Sequence, residues 1–408
     1  MSVDSAPPTV FDADLPTIAY ETTESFPEAY PRFKRALQQG PIALGPYGPE
    51  ILSYDLCRTA LRDNRFQIPP GIGLEVQGIT EGPLWDKVVN TLLSLEGPQH
   101  QRLRSLLSKA FTPRAVGRLH HTITEVINEL IDDVADQGQC DIVADIARPY
   151  PIPVICSLIG APREHWQKVA TWADDIFRAF SFIFNPDDTA DVMRAWGELD
   201  AYTDGMIADR RDALTDDLLS DLIRVEDDGD RLSHAELLML VGGLLLAGTD
   251  TTRNQVAASI DILCDHPGQW ELLREHPNLA MAAVDETMRH CPVVGSTLRQ
   301  ASEDFEFGGV VFPKDTFVIV NTAAANRDPL VYDDPDEFDI TRGELPPILS
   351  FGAGVHYCLG ANLARLEVAE ALTSVTRRMR NPHKTGPAPW KPMVSMSGPL
   401  TLPIAFDR

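Results

Sequence analysis

The run from Ser233 to about Asp265 constrains the fold more than any other stretch of the chain. Ser233-His-Ala-Glu236 has the form of a capping box, in which a serine and a glutamate three residues on satisfy each other's backbone N–H groups and open a helix. The residues that follow, Leu237 to Ala247, are apolar on every side instead of along one stripe. A helix without a polar face must be wrapped by other elements. The apolar run ends at Gly248, too short to span a bilayer, so the wrapping is expected to be protein. The chain is therefore predicted to be a large, helix-rich body built around this element.

With 408 residues the chain exceeds the usual size of a single core, yet it shows no Ser/Gly-rich linker, repeat or low-complexity tract. One unit over residues 31–408, preceded by a poorly ordered arm over residues 1–30, is the expected organisation. Pro31 to Gln39 reads as a helix. Ile42–Leu44 and Ile51–Ser53, separated by Pro46-Tyr-Gly-Pro49, read as a hairpin. The pattern is mainly helical from Pro98 to about Glu226. After Pro292 it turns strand-like, over Phe305–Phe312, Thr316–Asn321 and Thr401–Ile404. The fold class is mainly α with a small, late β region.

A formal net charge of −25 argues against nucleic acid and anionic membranes as partners. Met1 to Ser25 carries no apolar run, basic flank or cleavage pattern, so neither signal peptide nor membrane anchor is expected. The six cysteines form no C-x-x-C pair. Zinc sites and redox dithiols are not expected, and reduced thiols in a cytoplasm are.

One cysteine stands apart. Phe351-Gly-Ala-Gly-Val-His-Tyr-Cys358-Leu-Gly360 sets it among glycines, ahead of a helix whose apolar face runs through Leu359, Leu363, Leu366, Leu372, Val375 and Met379. A helix N-terminus favours thiolate over thiol. Gly354 and Gly360 would let the backbone pass close to something bulky. A thiolate on such a loop, facing a large flat ligand, suits a haem iron.

The pattern F-x-x-G-x-x-x-C-x-G resembles the haem-binding loop of the cytochrome P450 family, and from about His100 onward the chain is similar to soluble bacterial members. The resemblance implies the cytochrome P450 fold, with haem b held between the long central helix and the Cys358 loop, Phe351, Gly354 and Gly360 lining it and Cys358 as axial ligand to the iron. Ala247-Gly248-Thr249-Asp250-Thr251-Thr252 matches the family's oxygen-activation motif. Ala247 and Gly248 would lie against the haem, Thr251 would act with an ordered water at the bound oxygen, and Asp250 would relay protons from solvent. By itself the same stretch is equally a helix whose hydroxyls bond back to its carbonyls.

His100 and Arg104, four apart and so on one helical face, match a pair that binds a haem propionate. Arg299 and His356 match further propionate ligands. Glu286 and Arg289 form an E-x-x-R pair, unremarkable in any helix. The family joins it to a later arginine, here Arg342, in a structural charge network. The implied substrate pocket is apolar and draws on Ile72, Leu74, Val76, Leu244, Val293, Val294, Met393 and Val394. The implied substrate is terpenoid, fatty acyl, steroid or aromatic.

No G-x-G-x-x-G follows a strand, so no nicotinamide or flavin site is expected. The resemblance then implies a cytoplasmic monomer that uses O2 and two electrons from a ferredoxin and its reductase to hydroxylate or epoxidise an apolar small molecule. Arg102, Arg104, Lys109, Arg114 and Arg365 would form the docking face. Two alternatives stand beside this: a peroxygenase of the same fold, and a haem protein that binds a gas or apolar ligand without catalysis.

Overall fold

The computed structural model describes residues 7–21, 23–181, 184–227, 232–343, 345–393 and 396–408. Helices supply most of the chain. Ten short strands are present among the described residues: β1 (Ile42–Gly45), β2 (Gly48–Ile51), β3 (Phe66–Gln67), β4 (Gln139–Asp141), β5 (Thr297–Ala301), β6 (Phe305–Phe307), β7 (Val310–Phe312), β8 (Phe317–Val320), β9 (Arg380–Lys384) and β10 (Pro403–Asp407). One sheet has the order β1-β2-β8-β5-β3, another β4-β10-β9, and β6 pairs with β7 alone. A hairpin forms with Ile42 opposite Ile51, but its second strand is Gly48–Ile51, earlier than the expected Ile51–Ser53, because Gly48 and Pro49 join the ladder and leave only Pro46-Tyr47 for the turn.

The capping box at Ser233 is present: its hydroxyl accepts the Glu236 N–H while the Glu236 carboxylate accepts the Ser233 N–H. The helix it opens crosses the main core, where Leu237, Leu240, Val241 and Leu245 meet Ile152, Ile155 and Leu199. It differs from the expectation in being two segments, His234–Ala247 and Asp250–Asp265, broken at Gly248-Thr249. The stretches 142–159 and 234–265 are long and apolar enough to cross a membrane, and most of each is buried in this core.

The arm is not loose from residue 7 on. Val10 and Ile18 are buried. The Val10 N–H donates to the Val311 carbonyl, the Ile18 N–H to the Leu44 carbonyl, and the first helix starts at Phe26, five residues before Pro31. Backbone pairing with β7 and β1 supplies an order that the arm's own composition does not encode.

Candidate active site

The broken central helix exposes one line of residues. Gly243 and Ala247 are exposed and Thr251 is half-buried, though their neighbours along the helix are buried. A spacing of four puts the three on one face. A side chain placed on Gly243 would meet nothing within 4 Å, so this face borders open space. Gly248 does not serve that face, contrary to expectation. A Cβ on it would stand 2.8 Å from the Ile155 side chain, so its missing side chain lets the central helix pack on the helix Pro151–Ile159.

Asp250 opens the second segment and is buried, with only 4% of its surface exposed. Its carboxylate is ion-paired with Arg253 one turn on. Arg253 also reaches Asp174 at 2.7 Å, and Asp174 meets Arg148 at 2.5 Å. Asp174 and Arg148 are partly open to solvent, so this row of charges connects Asp250 with the surface. Lys391 lies 4.0 Å from the Asp250 carboxylate. The Thr251 hydroxyl donates to the Ala247 carbonyl at 3.3 Å, a long and weak bond that it can exchange for a better acceptor.

The Cys358 loop turns through Gly352 (φ 70°) and Gly354 (φ 72°), conformations that favour glycine. A side chain on Gly354 would stand 2.5 Å from the Leu61 carbonyl, so this glycine seats the loop on the end of the helix Tyr54–Ala60. The Cys358 N–H donates to the Phe351 carbonyl at 2.9 Å. The following helix begins only at Ala361, with Gly360 as its cap, so Cys358 precedes it by three residues. The expected lowering of the thiol pKa does not follow. Cys358 is open on one side, yet enough protein surrounds its sulfur for burial to dominate and push the pKa up, against a hydrogen bond from the Gly360 backbone and the charge of Arg104. Phe351 lies under the Arg365 guanidinium, 5.3 Å from the ring centre, and Arg365 is ion-paired with Asp285 at 2.8 Å.

His100 and Arg104 share the helix Gly97–Ser108 but are not a cation pair. The His100 ring is buried and packs on His356, with centroids 4.3 Å apart. Burial, helped by the neighbouring charges of His356 and Arg104, pushes its pKa down to about 4, so His100 is neutral at pH 7. Arg104 donates to the Tyr357 carbonyl inside the cysteine loop. His356 lies 3.1 Å from the Glu96 carboxylate, off the best hydrogen-bonding direction. Glu96 was not singled out from the sequence. Burial raises its pKa, but the His356 contact and the Ile68 N–H outweigh it and leave the carboxylate below its usual range. Arg299 is 3% exposed. Its guanidinium donates to the Thr297 hydroxyl (3.1 Å) and the Leu298 carbonyl (2.7 Å), and burial pushes its pKa down to about 10 against the charge of Glu96.

Glu286, Arg289 and Arg342 come together. Arg289 grips the Glu286 carboxylate through Nε (2.7 Å) and Nη2 (2.9 Å), and Arg342 Nε adds a third bond at 3.0 Å. The two arginines spend their remaining donors on the carbonyls of Asn326, Asp333, Asp334, Pro335 and Glu337. The network thus fixes the segment that leads towards Cys358.

The expected pocket residues divide. Leu74 (1% exposed) and Leu244 are packed in the main core, and Val293 is buried. Ile72 and Val294 are half-buried and Val76 is exposed. Met393 packs against the cluster around Phe26 and Phe33 instead. Val394 lies outside the described residues. A cavity of about 280 Å³ between Tyr30, Lys34, Arg327 and Asp336 adjoins none of the residues that carry chemistry.

The family model described as Cytochrome P450 matches residues 88–396. Luteothin monooxygenase of Streptomyces thioluteus is 35% identical, with 97% of each chain covered. Mycinamicin IV hydroxylase/epoxidase of Micromonospora griseorubida is 36% identical, over 88% of this chain and 91% of the relative. Among solved structures, CalO2 superposes with a TM-score of 0.90 at 31% identity, covering 96% of this chain and 99% of the other. The P450BioI structure in complex with an acyl carrier protein ligated to hexadec-9Z-enoic acid gives 0.86 at 30% identity, with 93% and 98% covered. This match across nearly the whole chain, on a chain with a broken central helix and a glycine-lined cysteine loop, makes the protein a member of the cytochrome P450 family, the monooxygenases that work with a haem.

Proposed function

We propose that Cys358 is the axial ligand of haem b and that the chain hydroxylates or epoxidises an apolar small molecule with electrons from a ferredoxin. The observation that carries this reading is the row of charges from buried Asp250 to solvent, beside the open face of Gly243, Ala247 and Thr251. A gas carrier has no use for a buried acid set next to a hydroxyl on the open face, and a peroxygenase, which takes its oxygen from peroxide, has little.

The residues fit the cofactor. Cys358 is a thiol open on one side, and coordination to a metal deprotonates a thiol whatever its raised pKa. Arg299 is a buried guanidinium that feels the charge of Glu96 but has no carboxylate within 4 Å among the described residues, a costly state that a propionate would relieve. Arg104 and His356 stand near Cys358 as further donors, and neutral His100 can give one N–H. Bound there, a thiolate-ligated haem supplies oxygen activation, because the thiolate pushes electron density towards O–O cleavage. The protein binds, orients and moves protons.

Asp250 would take a proton from water when its carboxylate leaves Arg253, and give it up towards Thr251; Arg253, itself held by the solvent-open Asp174, anchors the carboxylate and does not carry the proton. Arg253 holds the carboxylate in place until then. Thr251 turns its hydroxyl from the Ala247 carbonyl into the cleft and passes the proton on from Oγ1. Gly243 and Ala247 leave room for substrate and offer it no polar group.

The substrate reading agrees with what related proteins hold: one is bound to epothilone B and another is in complex with myristic acid. For the electron partner, the structure narrows the basic set. Arg102 is engaged by Glu236, Arg365 by Asp285 and Arg104 by the cysteine loop, while Lys109 and Arg114 remain exposed. We assign the ferredoxin to the face these two share.

The test is turnover of the haem-loaded enzyme with a ferredoxin, its reductase and a panel of apolar compounds. Product formed with reductant and O2, and much less with hydrogen peroxide alone, is the expected result. The reverse preference would establish the peroxygenase reading.

A further inference from the structure

Two cations flank the Asp250 carboxylate: Arg253 from its own helix and Lys391 from near the C-terminal end of the chain. Both approach the same atom, Oδ1. Arg253 is close but poorly directed, so among the described residues this buried oxygen has no well-aligned hydrogen bond. Arg253 also holds Asp174 at 2.7 Å, and so stays paired when Asp250 turns away. Lys391 is placed differently. Its ammonium lies 4.0 Å from Oδ1, and no other carboxylate is within that distance of it among the described residues. It donates instead to the neutral Oδ1 of Asn254 at 3.0 Å. A partly buried ammonium on a neutral acceptor gains by meeting a carboxylate.

The surroundings hold Lys391 at this spot. Its N–H donates to the Gly398 carbonyl at 2.8 Å, and the indole of Trp390 donates to Asp261 on the helix Asp250–Asp265 at 2.8 Å. A Cβ on Gly398, which has φ 139°, would stand 3.0 Å from the Asn254 side chain, so glycine lets this stretch close on the helix. Asn254 in turn donates from Nδ2 to the Asp250 carbonyl at 2.8 Å, and so joins the ammonium to the turn that bears the acid. The Lys391 side chain is 26% exposed and that of Asp250 only 5%. A carboxylate drawn to the ammonium therefore moves towards water.

We propose that Lys391 is a positioning residue for proton delivery: the Asp250 carboxylate exchanges Arg253 for the Lys391 ammonium, and there, at the solvent edge, meets the water that reprotonates it. Lys391 gives up no proton of its own. This rests on the reading of Asp250 as the acid that serves Thr251. Burial pushes the Lys391 pKa below its ordinary value, against the charge of Asp250; Arg253, Asp174 and Arg148 are the other charges that face it. Its positive charge, and the exchange with it, is thus lost at a lower pH than for an ordinary lysine.

The experiment uses the full-length haem-loaded enzyme with a plant-type ferredoxin, its reductase and myristic acid as probe, and reads oxygen consumption. Lys391→Gln keeps a donor for Asn254 but not the charge, and should slow consumption by about 5- to 10-fold. Lys391→Arg should restore the rate to within about 2-fold and hold it to higher pH than the unaltered enzyme, because a guanidinium stays charged. In an Asp250→Asn background, Lys391→Gln should cost nothing more. The Soret band should stay in place throughout. A second measurement needs no turnover: the losses in urea midpoint caused by Lys391→Gln and Asp250→Asn should fail to add in the double variant, as for charges that meet. An unaltered rate in Lys391→Gln would leave Lys391 only a structural tie to Asn254 and overturn the proposal. An equal slowing in the Asp250→Asn background, or additive losses of stability, would do the same. If Asp250→Asn itself leaves the rate unchanged, it is the acid reading that fails.

Discussion

At the residue scale, Cys358 and Thr251 carry the sharpest expectations. Cys358→His should abolish the long-wavelength absorption of the reduced, carbon-monoxide-bound protein that marks thiolate ligation, and retention of that band would remove Cys358 from its role. Thr251→Ala should keep haem and substrate binding but release peroxide in place of most product. The measurement is product formed per electron consumed. Glu50 offers a test away from the cleft. It is fully buried on β2, and burial lifts its pKa to about 7, against hydrogen bonds from Asn321 and Tyr20. Its folded pKa is raised, so the folded state binds the proton more tightly than the unfolded chain. The stability it contributes is complete below the usual carboxylate pKa near 4.5 and is lost as pH rises to 7 and above. The loss is on the order of 3 kcal/mol at most. Thermal unfolding followed from pH 5 to 8 should show this slope, and Glu50→Gln should flatten it.

At the scale of elements, the network of Glu286, Arg289 and Arg342 ties a helix to the segment leading towards Cys358. Glu286→Ala leaves a fully buried guanidinium without its carboxylate, a change that costs about 3–5 kcal/mol. The variant should unfold at lower denaturant concentration and retain less haem after purification, as read by the Soret-to-280 nm absorbance ratio. How far such elements can be read from sequence depends on how local their causes are. The Ser233 capping box and the hairpin at Pro46 are legible because each is decided within four or five residues. The break at Gly248-Thr249 is not, since Gly-Thr-Asp continues a helix as readily as it interrupts one. The Cys358 thiol is not legible for the same reason: the helix starts at Ala361, two residues later than the apolar pattern from Leu359 suggests, and the burial that governs the pKa comes from distant parts of the chain. Glu96 and Arg253 are not legible in the sequence because His356 and Asp174, which they meet, lie on other elements. The order of the arm rests partly on β7, some 300 residues away, and partly on β1.

At the scale of the whole molecule, charge decides how partners approach. A chain of net charge −25 repels an acidic ferredoxin everywhere except where cations gather. Reduction of the enzyme by the ferredoxin should slow as salt rises, chiefly through the association rate. Arg114→Glu should slow it further at low salt and leave the Soret spectrum and ligand binding unaltered. Stopped-flow reduction at several ionic strengths checks this, and rates indifferent to both changes would place docking elsewhere. The break in the central helix extends to the same scale. Because that helix starts twice, it has a second set of leading N–H groups, at Asp250 and the residues just after it, that no preceding turn can bond. They lie in the middle of the molecule beside an open cleft, flanked by helix that is sealed and slow. In heavy water these few amides should take up deuterium well before the residues on either side. A compound that fills the cleft should delay them, so that the isotope keeps time on the arrival and departure of a substrate whose identity need not be known.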